Sequence, residues 1–206
     1  MKLYDISMTI EPGMTVYKDR ENKQPKFVTV ASQPAQSVHE TELTMNLHTG
    51  THVDYPRHVM PDGTDSNTAT LGPFLGTAVV LDLTRSAESI TRADLEGQAI
   101  EYGDLVLLKT TSSLRESFDF KFVYLDDEAA EYLVALGVRG VGIDALGIER
   151  DQPGHPTHHA LLGNGIFIIE GLRLKDVPAK RYRFVGLPLK IAGVEAAPLR
   201  AILIEE

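Results

Sequence analysis

Leu47-His48-Thr49-Gly50-Thr51-His52-Val53-Asp54-Tyr55-Pro56-Arg57-His58 places three histidines and an aspartate within eleven residues. The residues leading into it alternate. Glu40, Glu42, Thr44, Asn46 and His48 occupy the even positions, and Thr41, Leu43, Met45 and Leu47 the odd ones. That period of two predicts a strand with one wet face and one buried face. His48, His52 and Asp54 share the wet parity. In a straight strand His48 and Asp54 would lie about 20 Å apart, at roughly 3.3 Å per residue. A metal ion holds nitrogen and oxygen ligands about 2 Å away, so the chain must bend if these side chains share an ion. Gly50 lies where the bend is needed, and glycine takes backbone angles that other residues resist. A helix would also bring His48 and His52 together at i, i+4. Thr-Gly-Thr is poor helix sequence, however, and Pro56 discourages helix in the residue before it. The stretch therefore reads as strand, bend and loop. One histidine at a strand end is ordinarily a solvated or hydrogen-bonded side chain. Three with an aspartate around a Thr-Gly-Thr bend point to metal binding.

The rest of the composition narrows the chemistry. The chain has 206 residues, 43% hydrophobic and 24% charged, enough for one domain with a proper core. Cysteine is absent, which removes disulfides, zinc–thiolate sites and thiol nucleophiles, and suits a cytoplasmic protein. Met1-Lys2-Leu3-Tyr4-Asp5 enters strand-like sequence with no apolar signal segment, and no apolar run approaches membrane-spanning length. The formal charge of −9, with no basic cluster, disfavours nucleic acid as a partner. A tight acidic cluster in such a chain favours divalent cations.

In chain order, residues 2–10 read as a strand and Glu11-Pro12-Gly13-Met14 as a turn. Residues 14–25 are polar and read as a solvated surface loop. The sharper alternative is a lid over a site, with Tyr17 as its aromatic contact. Residues 27–30 and 76–83 are strands rich in β-branched residues. Thr91 opens a short helix with Asp94 in a capping-box arrangement. Residues 104–109 form a buried strand. Asp126 caps a helix over 127–136 that Gly137 ends, and residues 138–143 return as a strand closed by Asp144. Helix, glycine stop and apolar strand is the rhythm of an α/β protein. Thr157 is a fair N-cap, and Gly163 a fair stop, for a short helix carrying His158. Residues 166–169 form an apolar strand ending in Glu170, whose carboxylate needs a partner there. Arg173 or Arg181 could supply it, and so could a metal. Residues 182–191 and 199–205 are strands joined by a loop through Glu195-Ala196-Ala197-Pro198. About nine strands and two or three short helices make a β-rich α/β chain, read as a single domain over residues 1–206.

There is no Gly-x-Ser-x-Gly elbow and no phosphate loop. Histidines and carboxylates remain, a nitrogen and oxygen set suited to zinc, manganese or another divalent first-row metal. Such a metal ionises water near neutral pH, and histidine can shuttle the protons that amide or ester cleavage requires.

The sequence resembles the cyclase family of metal-dependent hydrolases, which includes bacterial kynurenine formamidases and isatin hydrolases. The family hallmark has the form His-x-Gly-Thr-His-x-Asp-x-Pro-x-His, and residues 48–58 match every fixed position. A second element, a histidine followed by Leu-Leu and then a glutamate twelve residues after the histidine, is matched by His158, Leu161-Leu162 and Glu170. His159 is off that spacing. The resemblance extends from Asp5-Ile6-Ser7 to Pro198-Leu199-Arg200-Ala201. It implies a swivelling β/β/α fold and a site for two divalent metal ions, zinc first and manganese as the alternative. His48, His52 and Asp54 would hold one metal. His158 and Glu170 would complete the second, with Asp54 and Glu170 as bridges, and His58 matches the family's acid/base.

The implied activity is hydrolysis of the C–N bond of a small amide, with N-formylkynurenine to kynurenine and formate as the reference reaction. A cyclic amide or lactone, as in isatin hydrolysis, is the alternative. A non-catalytic metal-binding homologue is the rival from another class. The resemblance further implies a small-molecule substrate and a homodimer or larger homo-oligomer. Three departures bear on the substrate and leave the metal motif itself intact. Formamidases tend to carry a tryptophan in the N-terminal loop, where this chain has none and Tyr17 falls nearest. Ala145-Leu146-Gly147 stands where relatives often have a serine, and Glu195-Ala196-Ala197 where Asp-Gly-Ser is common.

Overall fold

In the computed structural model, residues 1–205 are described. Twelve strands follow in chain order: β1 (Lys2–Asp5), β2 (Lys26–Ala31), β3 (Glu40–Thr44), β4 (His52–Asp54), β5 (Leu75–Asp82), β6 (Ser89–Ile90), β7 (Leu105–Lys109), β8 (Tyr124–Leu125), β9 (Gly140–Ile143), β10 (Phe167–Glu170), β11 (Arg181–Pro188) and β12 (Ala196–Glu205). Three α-helices are interleaved, α1 (Arg92–Leu95), α2 (Asp127–Leu136) and α3 (Pro156–Gly163). The main sheet runs β12-β11-β5-β7-β9-β10-β4 and returns to β12 through β4, a closed barrel of seven strands with β1 added outside β12. The expected β-rich α/β class and fold therefore hold.

Side-chain parity explains the two cores. Ala78 and Val80 of β5, Leu105 and Leu107 of β7, Phe167 and Ile169 of β10, and Phe184 of β11 fill the barrel. Val79, Leu81, Val106, Leu108, Val141, Ile143 and Ile168 face outward and pack under the helices, with Leu133 of α2 and Leu161 of α3. The parallel strands β5, β7, β9 and β10 are buried on both faces, which is why Leu105–Leu108 is one unbroken apolar run. Burying a side chain such as Leu133 contributes about 1.5–3 kcal/mol. Helix α2 occupies residues 127–136 as expected. The Asp126 carboxylate accepts from the Ala129 N–H at 2.8 Å, and Gly137 ends the helix at φ +69°. The capping box of Thr91 and Asp94 also forms.

Several expectations need correction. The alternation over 40–48 carries no buried face. Strand β3 pairs only with β2 in a two-stranded sheet, and all five of its residues are exposed. It stops at Thr44 because the Asn46 side chain then accepts from the His48 N–H at 2.9 Å and turns the chain. The first strand ends at Asp5 rather than residue 10. Thr157 is not the N-cap of α3. His155 is, at φ +49°, and Thr157 lies inside the helix and donates to the Leu125 carbonyl at 2.9 Å. Ala196-Ala197-Pro198 is not loop but the start of β12, held by pairing with β4. The solvated-loop reading of 14–25 fails too, since Met14, Val16 and Pro25 are buried and anchor the segment to the body. No helix among the described residues is long and apolar enough to cross a membrane.

Candidate metal centre

Strand β4 closes the barrel and carries the site. Val53 points into the barrel, so His52 and Asp54 point out of it. The register sets Glu170 of β10 opposite His52, and Ile168 opposite Asp54. That cross-strand pairing leaves His52 Nε2 3.5 Å from Glu170 Oε2. Gly50 makes the expected bend, at φ +73°. It returns His48 so that its Nδ1 lies 3.0 Å from Asp54 Oδ1 and 3.1 Å from His52 Nε2. His158, on the first turn of α3, brings its Nε2 within 3.8 Å of Asp54 Oδ2 and 3.7 Å of Glu170 Oε1. His58 lies on the turn Pro56–His58, its ring 4.2 Å from that of His48 and 5.4 Å from that of His158, between centroids. The motif residues and the distant His158 and Glu170 thus converge. His159 is exposed and turned away from this buried group.

Hydrogen bonding fixes which nitrogen of each ring faces inward. His52 Nδ1 donates to the Gly50 carbonyl at 2.9 Å, and His158 Nδ1 donates to Glu149 Oε1 at 2.7 Å. Each ring in its neutral form therefore aims an Nε2 lone pair at the carboxylates. Asp54 is fully buried, and neither of its oxygens has a hydrogen-bond partner among the described residues. Lone pairs converging on lone pairs require positive charge between them. Protons can supply some of it. Burial opposes ionisation of Asp54, yet the nearby rings of His52, His158 and His48 hold its carboxyl well below the usual range. His158 is lowered by burial but raised well above the ordinary imidazole value by Asp54, Glu149 and Glu170. A divalent cation answers the same need. Tetrahedral ligands at about 2.1 Å lie about 3.4 Å from one another, and the spacings here run from 3.0 to 3.8 Å. Glu170 settles its partner question the same way. Arg181 pairs with Asp104, and among the described residues no arginine or lysine pairs with Glu170. It meets His52, His158 and the Ile148 N–H at 2.6 Å.

Asp144, the carboxylate that closes its strand, is a turn anchor. It accepts from the Thr110 N–H and hydroxyl and from the Ser113 N–H. Glu149 was not singled out by sequence, although it ends the apolar run Ala145–Ile148 much as Glu170 ends its strand. One of its oxygens holds both His158 and His155, and the other accepts from the Thr157 N–H at 3.0 Å. It positions His158 from behind, the arrangement that commonly orients metal-bound histidines. Glu195 corrects the expectation that the departures leave the metal motif untouched. Its Oε1 lies 3.5 Å from His48 Nε2, because the pairing of Ala196 with Asp54 carries Glu195 to the site.

A cleft of about 210 Å³ opens over these groups, lined by Tyr17, Lys18, Arg20 and Lys23 on one wall and by Leu146, Gly147 and His155 on the other. Tyr17 stands edge-on to Phe118 and Phe122, at 5.3 and 6.4 Å between centroids. Burial, with Asp151 and Glu170 nearby, pushes its hydroxyl up to about 12. Gly147 has no side chain to block that ring, and a Cβ there would meet Tyr17 Cε2 at 3.1 Å.

Two glycines set the approach of the ligand segments. Gly171, at φ +71°, follows Glu170, and a Cβ on it would lie 2.6 Å from the Gly50 carbonyl oxygen and 3.0 Å from its carbon. Backbone cannot yield there as a side chain can. Gly171→Ala is expected to cost about 1–3 kcal/mol in denaturant unfolding and to weaken metal retention on dialysis. Gly163→Ala, with nothing within 4 Å of the added Cβ, is the control and should change neither.

The family model described as "Putative cyclase" matches residues 4–150. The chain belongs to the cyclase family. A kynurenine formamidase from Salinibacter ruber is 36% identical over 209 residues, covering 98% of this chain and 97% of that one. A solved structure described as a potential metal-dependent hydrolase with cyclase activity shares 46% identity and a TM-score of 0.92, over 98% of this chain and 96% of that one. Isatin hydrolase A from Labrenzia aggregata shares the fold, with a TM-score of 0.85 at 23% identity over 98% and 93% of the two chains. In cyclase-family terms the sequence motif and the buried His-Asp-Glu group are one object seen twice.

Proposed function

We propose that this cyclase-family chain is a metal-dependent amidohydrolase, a single domain over residues 1–206, that cleaves the C–N bond of an aryl formamide. N-formylkynurenine, giving kynurenine and formate, is the reference reaction. The observation that carries the reading is the buried Asp54 carboxylate, unpartnered among the described residues and faced by His48, His52 and His158. The full-length likeness to a kynurenine formamidase supports the substrate class.

His48, His52 and Asp54 would hold one divalent ion. His158 and Glu170 would complete a second, with the two carboxylates shared. Zinc is the first choice and manganese the alternative. When bound, such ions supply an ionised water near neutral pH and polarise a carbonyl oxygen. The chain's own residues do the rest. Glu149 fixes the tautomer and direction of His158. Tyr17 offers its ring to the aryl group. Partial desolvation beside His48 and His158 lowers His58 below the ordinary histidine value while one face of the residue stays exposed, so its ring can take a proton from the attacking water. The acyl C–N bond breaks, a C–O bond forms with water, and His58 delivers the proton that the leaving amine takes up. The protein works in the cytoplasm, where absent cysteines are no handicap, as a homodimer or larger homo-oligomer. Exposed Phe27, Val28, Val30 and Leu43 on the β2–β3 ribbon support assembly.

The test is metal analysis of untagged protein followed by turnover of formyl-anilides, N-formylkynurenine and isatin, before and after chelation. The expected result is about two metal equivalents with chelator-sensitive hydrolysis of the formamides. Protein that takes up no metal even on reconstitution would sink the proposal, and hydrolysis of isatin alone would move it to cyclic amides.

A further inference from the structure

Four cationic or aromatic side chains, Tyr17, Lys18, Arg20 and Lys23, form one wall of the cleft in a chain whose formal charge is −9. They differ in what they face. Lys18 is ion-paired to Asp151. Lys23 is half-buried and has no ion pair among the described residues. Its backbone is fixed, since the Thr49 hydroxyl donates to the Lys23 carbonyl at 2.7 Å and the Gln24 amide donates to the Met14 carbonyl at 2.8 Å. Its ammonium lies 5.6 Å from the centroid of the Tyr17 ring. Burial weighs on its charge most, and the charged groups that act on it are Glu170, Arg20 and Asp54, of which the two carboxylates belong to the proposed metal centre. A bound cation there would cancel their pull and leave the Lys23 charge facing the cleft alone.

We infer that Lys23 is a specificity residue that receives a carboxylate on the substrate, carried on the side arm of the aryl ring that Tyr17 contacts. The inference rests on the amidohydrolase reading and narrows it to aryl amides whose side arm bears a carboxylate. Charge pairing at a half-buried lysine is screened less than at an exposed one, and hydrogen bonds to charged groups are among the stronger ones. Arg20, on the same wall but exposed, adds long-range attraction that salt will screen.

The test separates binding from turnover. Metal-loaded protein is titrated calorimetrically with two uncleavable ortho-aminophenyl ketones that differ only in ending in a carboxylate or in the isosteric carboxamide. The wild type should prefer the carboxylate by about tenfold or more. Lys23→Met, which keeps the length of the stem, should abolish that preference, and Lys23→Arg should keep most of it. Equal binding of the two ligands by the wild type, or an unchanged preference in Lys23→Met, overturns the inference. The formylated versions of both ligands are then assayed for hydrolysis. With the carboxylate substrate Lys23→Met should raise KM at nearly constant kcat, and with the carboxamide it should change neither. Equal losses on both substrates overturn the specificity role. Absence of turnover in the wild type with the binding preference intact would defeat the hydrolase reading and leave the carboxylate site standing.

Discussion

Asp54→Asn protein is expected to purify without stoichiometric metal and to lose turnover by at least about a thousandfold. The substitution keeps shape and removes charge. Asp54 has no exposed surface, so water cannot take over its role. Its two oxygens face His48 and His52 on one side and His158 on the other, and an amide in that place presents N–H to one side where a lone pair is needed. In the proposed two-ion site, charge between the ions would come from Asp54 and Glu170, the carboxylates near His52 and His158. Mass-spectrometric metal content and kcat/KM on a formyl-anilide check the prediction together. Full metal content with unchanged turnover would show that Asp54 is only a buried acid balanced by protonated histidines.

His58→Ala should behave differently. Metal content should stay at the wild-type level while turnover falls by roughly 10²–10⁴-fold. His58 stands on a rigid turn that starts at Pro56, and Arg57 beside it is tied to Asp65 at 3.0 Å. Its ring packs against His48 at a 39° tilt and makes no hydrogen bond among the described residues. A ring so placed is free to accept and return a proton. It is also close enough to be a ligand, since His48, Asp54 and His58 each bring a donor atom within 4.8 Å of the others. Metal analysis decides between the two roles. Loss of metal in His58→Ala would make it a ligand, and full activity would remove it from the chemistry.

Much of the site was legible because its residues are close in sequence. His48, His52, Asp54 and His58 announce themselves by spacing, and Gly50 by the bend that spacing demands. Glu170 was legible as a charge at the end of an apolar strand, a costly placement without a partner. Glu149 makes the same pattern after Ala145–Ile148, but irregular sequence surrounds it and no strand periodicity draws the eye to it. Glu195 and Lys23 could not be found this way. Glu195 comes to His48 because β12 begins three residues earlier than its apolar pattern suggests, through pairing with β4. Lys23 faces the cleft because Thr49 ties its backbone to the His48–Thr51 bend, a contact between loops that no local rule encodes. The α2 helix was readable to the residue because its cap and stop are local chemistry. The β3 ribbon was misread because alternation reports a preference for a buried face, not whether this chain supplies the cover.

Strand β4 is three residues long, yet it alone joins β10 to β12 and completes the ring of strands. Even with the flanking bonds from the Tyr55 N–H to the Glu195 carbonyl and from the Leu199 N–H to the Thr51 carbonyl, it is a short seam for a barrel. The proposed ligands straddle that seam, with His52 and Asp54 on the closing strand and Glu170 across from it. On that reading metal uptake and ring closure would be one event, and the ion would be a rivet as well as a reagent. At a free metal concentration a hundredfold above Kd, such linkage adds about 2.7 kcal/mol to folding. Stripping the ion should loosen the seam first, so backbone amides of residues 51–55 should exchange with solvent well before those of the parallel strands. An enzyme built this way carries a record of metal supply in its own stability, since chains that fail to find the ion remain the ones a protease can open.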